Sequence, residues 1–402
     1  MLNIKKSRLF DICIKNSRMK RYLDDLIARD LTKKMVFVTG PRQVGKTTLS
    51  RLLLDKTSGQ YLNYDVGDDR AVILRQGWRV QAKLLVFDEI HKMSDWKPWL
   101  KGVVDGVVDA KPAKQQLLLT GSARLDTFRQ AGESLAGRFF AWRLHPISVR
   151  EWCVQAGATP DDALTHLLAR GGFPEPCLAE NDDEAQGWRR QYFDGLIRND
   201  VLEFSRLHEL TAMLLFTELL RQRVGSPLSL ASMARDLNVS PITLKRYLEI
   251  LEALYIVFVV RPWHHNIARA TLQAPKVYFF DTGLVQGDEG VRFENLVACH
   301  LLKHVPWQQN AKGKEVDLHY VRTKDGAEVD FCLSHKAPGG DTLTHLIECK
   351  LGDSKPHTAL KRFAEQWADA EAVQLVRNLR HEQDHGRVQI KSAATWLQEL
   401  DA

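Results

Sequence analysis

The sequence predicts an α/β protein in which a parallel sheet is followed by helical modules and a separate C-terminal α/β domain. Three observations predict it. Short apolar runs alternate with helical stretches from residue 19 to about 150, the pattern of strands joined by crossover helices. The periodicity is then purely helical as far as Gln222. Beyond residue 276 strands and helices alternate again.

Taken in order, residues 19–31 put Tyr22, Leu23, Leu26, Ile27 and Leu31 on one helical stripe. A β-rich run over Met35–Thr39 leads through a Gly-rich turn into a helix over Lys46–Leu54. Leu84–Phe87 ends in Asp88-Glu89, and Leu117–Thr120 ends in Gly-Ser. Residues 19–150 are therefore read as one α/β domain, and 151–225, broken at Gly171–Pro176, as a helical subdomain. Within 226–263, Leu228–Leu237 reads as one helix and Pro241–Ala253 as a second. Ser240 is the N-cap of the second helix, and Pro241 sits where its missing N–H costs nothing. Leu244, Tyr247, Leu248, Leu251 and Leu254 form its buried stripe, leaving Thr243, Lys245 and Arg246 outward, and Tyr255–Val260 follows as a strand. The domain over 276–402 contains a strand at Val277–Phe280 and a helix at Val291–Val305. A hairpin over Val316–Val321 and Ala327–Leu333 turns at Lys324-Asp325-Gly326. A strand at Thr344–Leu351 and a helix at His357–Ala370 come last.

Composition narrows the class. Hydrophobic residues at 44% and charged ones at 26% can form globular cores, which argues against wholesale disorder. A net charge of +6 is compatible with an anionic partner such as DNA. The six cysteines occur singly, without a C-x-x-C pair, so zinc ribbons and disulfide frameworks are disfavoured and a cytoplasmic location is expected. No apolar run reaches the roughly eighteen residues of a membrane span, so no membrane association is expected.

Gly40-Pro41-Arg42-Gln43-Val44-Gly45-Lys46-Thr47, with Thr48 behind it, matches G-x-x-x-x-G-K-[ST] between a strand and a helix. Such a loop wraps phosphates with backbone N–H groups and a helix N-terminus. Lys46 is then expected on the β- and γ-phosphates, and the Thr47 hydroxyl on Mg²⁺, which points to ATP with Mg²⁺. Asp88, ending an apolar strand, is expected to hold the metal shell, and Glu89 to act as general base toward water. The hydroxyl of Ser122, after the third strand, is a candidate to sense the γ-phosphate or hold the water. Arg138 is a candidate for the cation that stabilises transition-state charge, in its own subunit or a neighbour's, so a homo-oligomer is one expectation.

In this order the motifs resemble a known family. GPRQVGKTTL (40–49), LVFDEI (85–90), Trp96 with Trp99 and Leu100, TGSA (120–123), SLAGR (134–138) and GGFPEP (171–176) look like prokaryotic AAA-type ATPases with a C-terminal domain of unknown function. KVYFFDTGL (276–284), Phe293-Glu294-Asn295 and Glu328-Val329-Asp330-Phe331 extend the likeness. The resemblance implies an AAA-type P-loop core over 19–150, a helical subdomain, a winged helix over 226–263 and a restriction-endonuclease-like domain over 276–402. Residues 1–18 fall outside it and are expected to be an N-terminal extension or to follow from a misassigned start.

Within the last domain, Glu348 and Lys350 alternate with Cys349 on a strand and so share a face. With Glu294 and Asp330 they give an E…D…E-x-K set, similar to that of PD-(D/E)XK nucleases. There carboxylates hold Mg²⁺ and the lysine positions or helps deprotonate a water. Glu294, Asp330 and Glu348 are thus expected metal ligands and Lys350 a catalytic residue. Asp317, in a second E-V-D string, is the less favoured alternative. Two functional readings follow. One is ATP hydrolysis coupled to DNA binding or processing, with a metal-dependent nuclease activity. The other is a nucleotide-controlled switch that binds protein partners while the nuclease-like domain is silent.

Overall fold

The computed structural model describes residues 19–107, 115–121, 135, 137–196, 207–263, 274–337, 340–352, 355–367, 369–400 and 402. Residues 1–18 and Ser122 lie outside the described residues. The chain divides into two compact units, one ending at His145 and one running from Pro146 to Ala402.

The first unit is a five-stranded sheet in the order β2-β3-β4-β1-β5. Its strands are β1 (Met35–Thr39), β2 (Gly59–Asn63), β3 (Leu84–Asp88), β4 (Gln116–Thr120) and β5 (Phe139–Arg143), and every pairing is parallel. The helices are α1 (Asp24–Leu31), α2 (Lys46–Asp55), α3 (Gly67–Arg75) and α4 (Trp96–Val107). Strands β1 and β3 are buried along their whole length, which explains their unbroken apolar sequence. Strands β2 and β5 lie at the two edges of the sheet and are mostly half-buried, and β2, Gly-Gln-Tyr-Leu-Asn, is of mixed polarity. Phe37, Phe87, Trp96 and Leu100 pack in the core between sheet and helices.

The second unit starts with α5 (Val149–Ala156), α6 (Pro160–Arg170), α7 (Pro174–Leu178), α8 (Asp182–Gly195) and α9 (Leu207–Arg221). The helix pair α10 (Leu230–Asp236) and α11 (Pro241–Ala253) follows. The Ser240 hydroxyl accepts from Thr243 N as the N-cap of α11, with Pro241 in the first turn. Then come β6 (Val257–Pro262), β7 (Lys276–Phe279), α12 (Glu289–Lys312), β8 (Val316–Arg322), β9 (Glu328–Ala337) and β10 (Gly340–Lys350). The unit ends with α13 (Thr358–Gln366), β11 (Glu371–Val376), β12 (Gln383–His385), β13 (Val388–Ser392) and α14 (Ala393–Glu399).

Here the structure departs from the sequence reading. The strand expected at Tyr255–Val260, which would be the wing in the winged helix that the resemblance implies, is β6. It pairs antiparallel with β7 and parallel with β8, so both strands extend the C-terminal sheet, ordered β12-β13-β11-β10-β9-β8-β6-β7. The boundary drawn between 226–263 and 276–402 is therefore crossed by backbone hydrogen bonds. Helix α5 is also joined to α12, because Lys303 Nζ pairs with Glu151 and donates to Ser148 Oγ at 3.0 Å, all of them buried. A local periodicity carries no information about such distant partners.

Candidate functional site

In the first unit the loop over 40–48 leaves β1 and enters α2. Gly40 has φ 140°, and a Cβ there would lie 2.3 Å from the backbone oxygen of Leu144, so only glycine fits. Gly45, at φ 102°, turns the chain into α2, while Gln43 adopts φ 58°. Pro41 and Val44 are buried, and Arg42, Gln43 and Thr48 are exposed. The Lys46 ammonium donates to the carbonyls of Pro41 at 2.6 Å and Gly40 at 3.0 Å, bracing the loop from within. Arg21, buried ahead of α1, donates to Val44 O at 2.9 Å and His145 O at 2.6 Å, and so ties the loop to the end of β5. Nothing in the local sequence marked Arg21.

Asp88 sits at the C-terminal end of β3, and its carboxylate gathers four donors. Oδ1 accepts from Thr120 Oγ1 at 2.7 Å and from Glu89 N at 3.1 Å. Oδ2 accepts from Thr47 Oγ1 at 3.3 Å and from the Tyr61 hydroxyl. Parallel register brings these groups together, since Asn63, Asp88 and Thr120 end neighbouring strands level with one another. Burial, and then the hydrogen bond to Asp88 and its charge, raise the Tyr61 phenol pKa above its ordinary value. Tyr61, like Arg21, had no role in the sequence reading. Its only signal was a hydroxyl near the end of a polar strand. The third-strand hydroxyl that reaches the cluster is that of Thr120; the expected Ser122 is outside the described residues.

Glu89 has φ 56°, a left-handed backbone that a non-glycine residue adopts only when its surroundings impose it. Its N–H also donates to Thr120 O at 3.0 Å, which fixes that conformation. Burial and then the charge of Asp88 raise its carboxyl pKa, against the opposing pull of Lys92, Lys46 and Arg42. The Arg138 guanidinium pairs with Asp105 of α4. A hydroxyl and a carboxylate oxygen 3.3 Å apart beside a glycine-built loop are hard oxygen donors suited to Mg²⁺.

In the second unit the structure brings Glu294, Asp330, Glu348 and Lys350 into one neighbourhood and adds residues to it. Asp330 N donates to Glu348 Oε2 at 3.3 Å, and Cys349 N to Asp330 Oδ2 at 2.9 Å. Lys350 Nζ lies 2.7 Å from Glu348 Oε1, and His357 Nδ1 lies 3.2 Å from the same oxygen. Asp317, the alternative, is half-buried and faces the exposed Lys336 at 3.8 Å. An open cleft of about 650 Å³ is lined by Glu328, Asp330, Glu348, His357 and Arg362 among others.

The unexpected member is Lys276. It opens β7, is 1% exposed, and lies 2.7 Å from Glu328, 3.3 Å from Glu294 and 3.5 Å from Asp330. Burial opposes its charge, but Glu294, Asp330 and Glu328 together outweigh burial and raise its pKa. Burial followed by the Asp330 charge raises the pKa of both Glu294 and Glu348. Glu294 also accepts from the Tyr278 hydroxyl at 2.7 Å. A Cβ on Gly225 would come within 2.7 Å of its carboxylate. Among the described residues no three His, Cys, Asp or Glu side chains gather as a metal-ligand set. Grouped carboxylates favour a nearby cation, and the ammonium of Lys276 lies among them.

Comparison with known proteins agrees with this organisation. Residues 32–153 match the AAA domain family. Residues 161–291 and 289–395 match two domains of unknown function, DUF8612 and DUF4143. An uncharacterized protein of Mycobacterium tuberculosis, Rv2008c, is 30% identical over 307 residues, covering 74% of this chain and 67% of its own length. An uncharacterized protein of Methanocaldococcus jannaschii, MJ1544, is 22% identical over 345 residues, covering 77% and 74%. Among solved structures, a RuvB of Thermotoga maritima is similar with a TM-score of 0.31 and 18% identity, over 59% of this chain and 88% of that one. Among the described residues no helix is long and apolar enough to cross a membrane. With its loop, its Asp88 cluster and a relative matched over two thirds of that relative's length, the chain belongs to the family of AAA-domain P-loop ATPases that carry C-terminal domains of unknown function.

Proposed function

We propose that the chain hydrolyses ATP with Mg²⁺ in its AAA domain and uses the cycle to act on DNA through its second unit. The observation that carries the hydrolytic part is the Asp88 carboxylate, held by Thr47, Thr120 and Tyr61 at the end of β3 beside the phosphate loop. Backbone N–H groups of 40–48 and the Lys46 ammonium bind the phosphates. Thr47 and Asp88 hold Mg²⁺, which neutralises charge developing on the phosphate oxygens. Glu89, with its raised proton affinity, orients the attacking water and takes its proton.

The DNA part is supported by α11. Ile242, 81% exposed, and the exposed Lys245 and Arg246 lie on its outer face, and Thr243 is half-buried beside them. This is the residue mixture with which a recognition helix touches bases and phosphates. A second reading, a nucleotide-controlled switch for protein partners with a silent nuclease-like domain, is favoured by Lys276 among the carboxylates. The test follows phosphate release with Mg²⁺-ATP, with and without DNA, over a range of salt. Hydrolysis lost in Lys46→Ala, and DNA binding that weakens with salt and less steeply in Lys245→Ala/Arg246→Ala, is the expected result. Hydrolysis indifferent to DNA, with no salt-sensitive binding, selects the second reading. No hydrolysis by the wild type overturns the first reading, and failure to retain ATP with Mg²⁺ overturns both.

A further inference from the structure

We infer that the resident cation of the acidic centre in the second unit is the ammonium of Lys276, and that this centre is a metal-independent pin joining the β6–β7 strands to the C-terminal domain. The inference is independent of the nucleotide reading.

The argument starts from what surrounds Lys276. Its side chain is buried, and a buried ammonium persists only where anions compensate its desolvation. Three carboxylates do so, and they come from different elements: Glu294 from α12, and Glu328 and Asp330 from β9. The ring of Tyr320, on β8, lies 5.4 Å from the same ammonium. Lys276 itself belongs to β7, the outermost strand of the sheet. One ammonium thus connects the sheet's terminal strand to the helix and the hairpin on which the C-terminal domain is built.

The donor set does not fit a divalent ion bound by Glu294, Asp330 and Glu348 together. Glu294 is turned to Lys276 and to the Tyr278 hydroxyl, and it lies so near Gly225 that a Cβ there would meet its oxygens. Asp330 spends Oδ2 on Cys349 N and turns Oδ1 to Lys276. Glu348 is occupied by Lys350, His357 and Asp330 N. Six to eight hard oxygens, or several plus waters, are what Ca²⁺ or Mg²⁺ requires, whereas these oxygens already have cationic or N–H partners. Lys276 provides the compensation without an ion from solution.

The experiment uses the full chain without nucleotide. Mn²⁺ is titrated and free ion followed by electron paramagnetic resonance, for the wild type and Asp330→Asn. The expected result is that the two titrations coincide up to millimolar Mn²⁺. A stoichiometric site present in the wild type and lost in Asp330→Asn overturns the inference. In parallel, Lys276→Gln and Lys276→Met are melted in chelator-treated buffer. Both are expected to unfold several degrees below the wild type, with part of the loss restored by Mn²⁺ entering the vacated position. Melting unchanged from the wild type overturns the pin. Should both variants fail to fold, the requirement for the ammonium stands and the wild-type titration decides the question of the metal.

Discussion

The hydroxyl of Tyr61, on edge strand β2, donates to the carboxylate of Asp88 on the neighbouring strand β3. Asp88 Oδ2 thereby accepts hydrogen bonds from both Tyr61 and Thr47, so its orientation toward the phosphate loop is set in part by a residue well upstream of its own motif.

Replacing Tyr61 with Phe removes one donor and leaves the ring. Partners of this kind, one step behind a metal ligand, change metal affinity or activity by about 10- to 100-fold. Tyr61→Phe is expected to raise the Mg²⁺ concentration for half-maximal ATP turnover about tenfold, with little change in the melting temperature. An unaltered Mg²⁺ dependence would mean that Thr47 and Thr120 suffice to hold Asp88.

Glu89→Gln keeps the shape of the strained turn and removes the base. Turnover should fall on the order of 100-fold or more, while binding of a fluorescent ATP analogue is retained. Equal losses of binding and turnover would instead assign Glu89 to the architecture of the turn.

Gly40→Ala tests the closest backbone approach in the loop. The added methyl would meet Leu144 O at 2.3 Å and sit on a backbone with φ 140°, so loop and β5 must separate. Strain of this type costs about 1–3 kcal/mol. Nucleotide binding should be lost together with a measurable drop in the stability of the first unit. A variant that binds ATP normally would contradict the tight packing.

The second unit should lose stability in mild acid through His300. Its Nε2 accepts from Val149 N at 2.9 Å and its Nδ1 contacts Leu296 O at 2.8 Å, a pairing that suits a neutral ring with the proton on Nδ1. Burial, against the hydrogen bond to Leu296, lowers its pKa to about 4. The unfolded chain takes up the proton first, near 6.5, so this contribution is complete above pH 6.5 and declines as pH falls toward 4. The full loss is on the order of 3 kcal/mol. Denaturant unfolding at neutral pH and at pH 5, for the wild type and His300→Gln, checks it. The variant should be less stable at neutral pH and less sensitive to acid; parallel pH curves would remove His300 as the source.

What was legible in the sequence was whatever is encoded contiguously. The loop over 40–48, the buried β1 and β3, and the N-cap Ser240 with Pro241 each depend on neighbours in the chain, so spacing reveals them. The alternation of Glu348 and Lys350 about Cys349 likewise follows from strand geometry. Arg21, Tyr61 and Lys276 escaped because each works on residues brought near only by the fold: Val44 and His145, Asp88, and the three carboxylates. Lys276 did leave one trace, a lysine opening a strand that is buried throughout. A charge at such a position asks for a partner, and the nearby Phe293-Glu294 supplied it. The strain at Glu89 left none, since φ is set by Thr120 across the sheet.

The entry of β6 and β7 into the C-terminal sheet constrains how the chain can be divided. Cutting after Trp263, the boundary expected for the 226–263 module, would leave β6 on one fragment and β7 and β8 on the other. The severed rim of β8 would present open amide and carbonyl groups, an invitation to stick to other molecules. Fragments intended to behave as independent pieces should keep the hairpin with the sheet, and severing the chain just before Pro146 respects the molecule's own division.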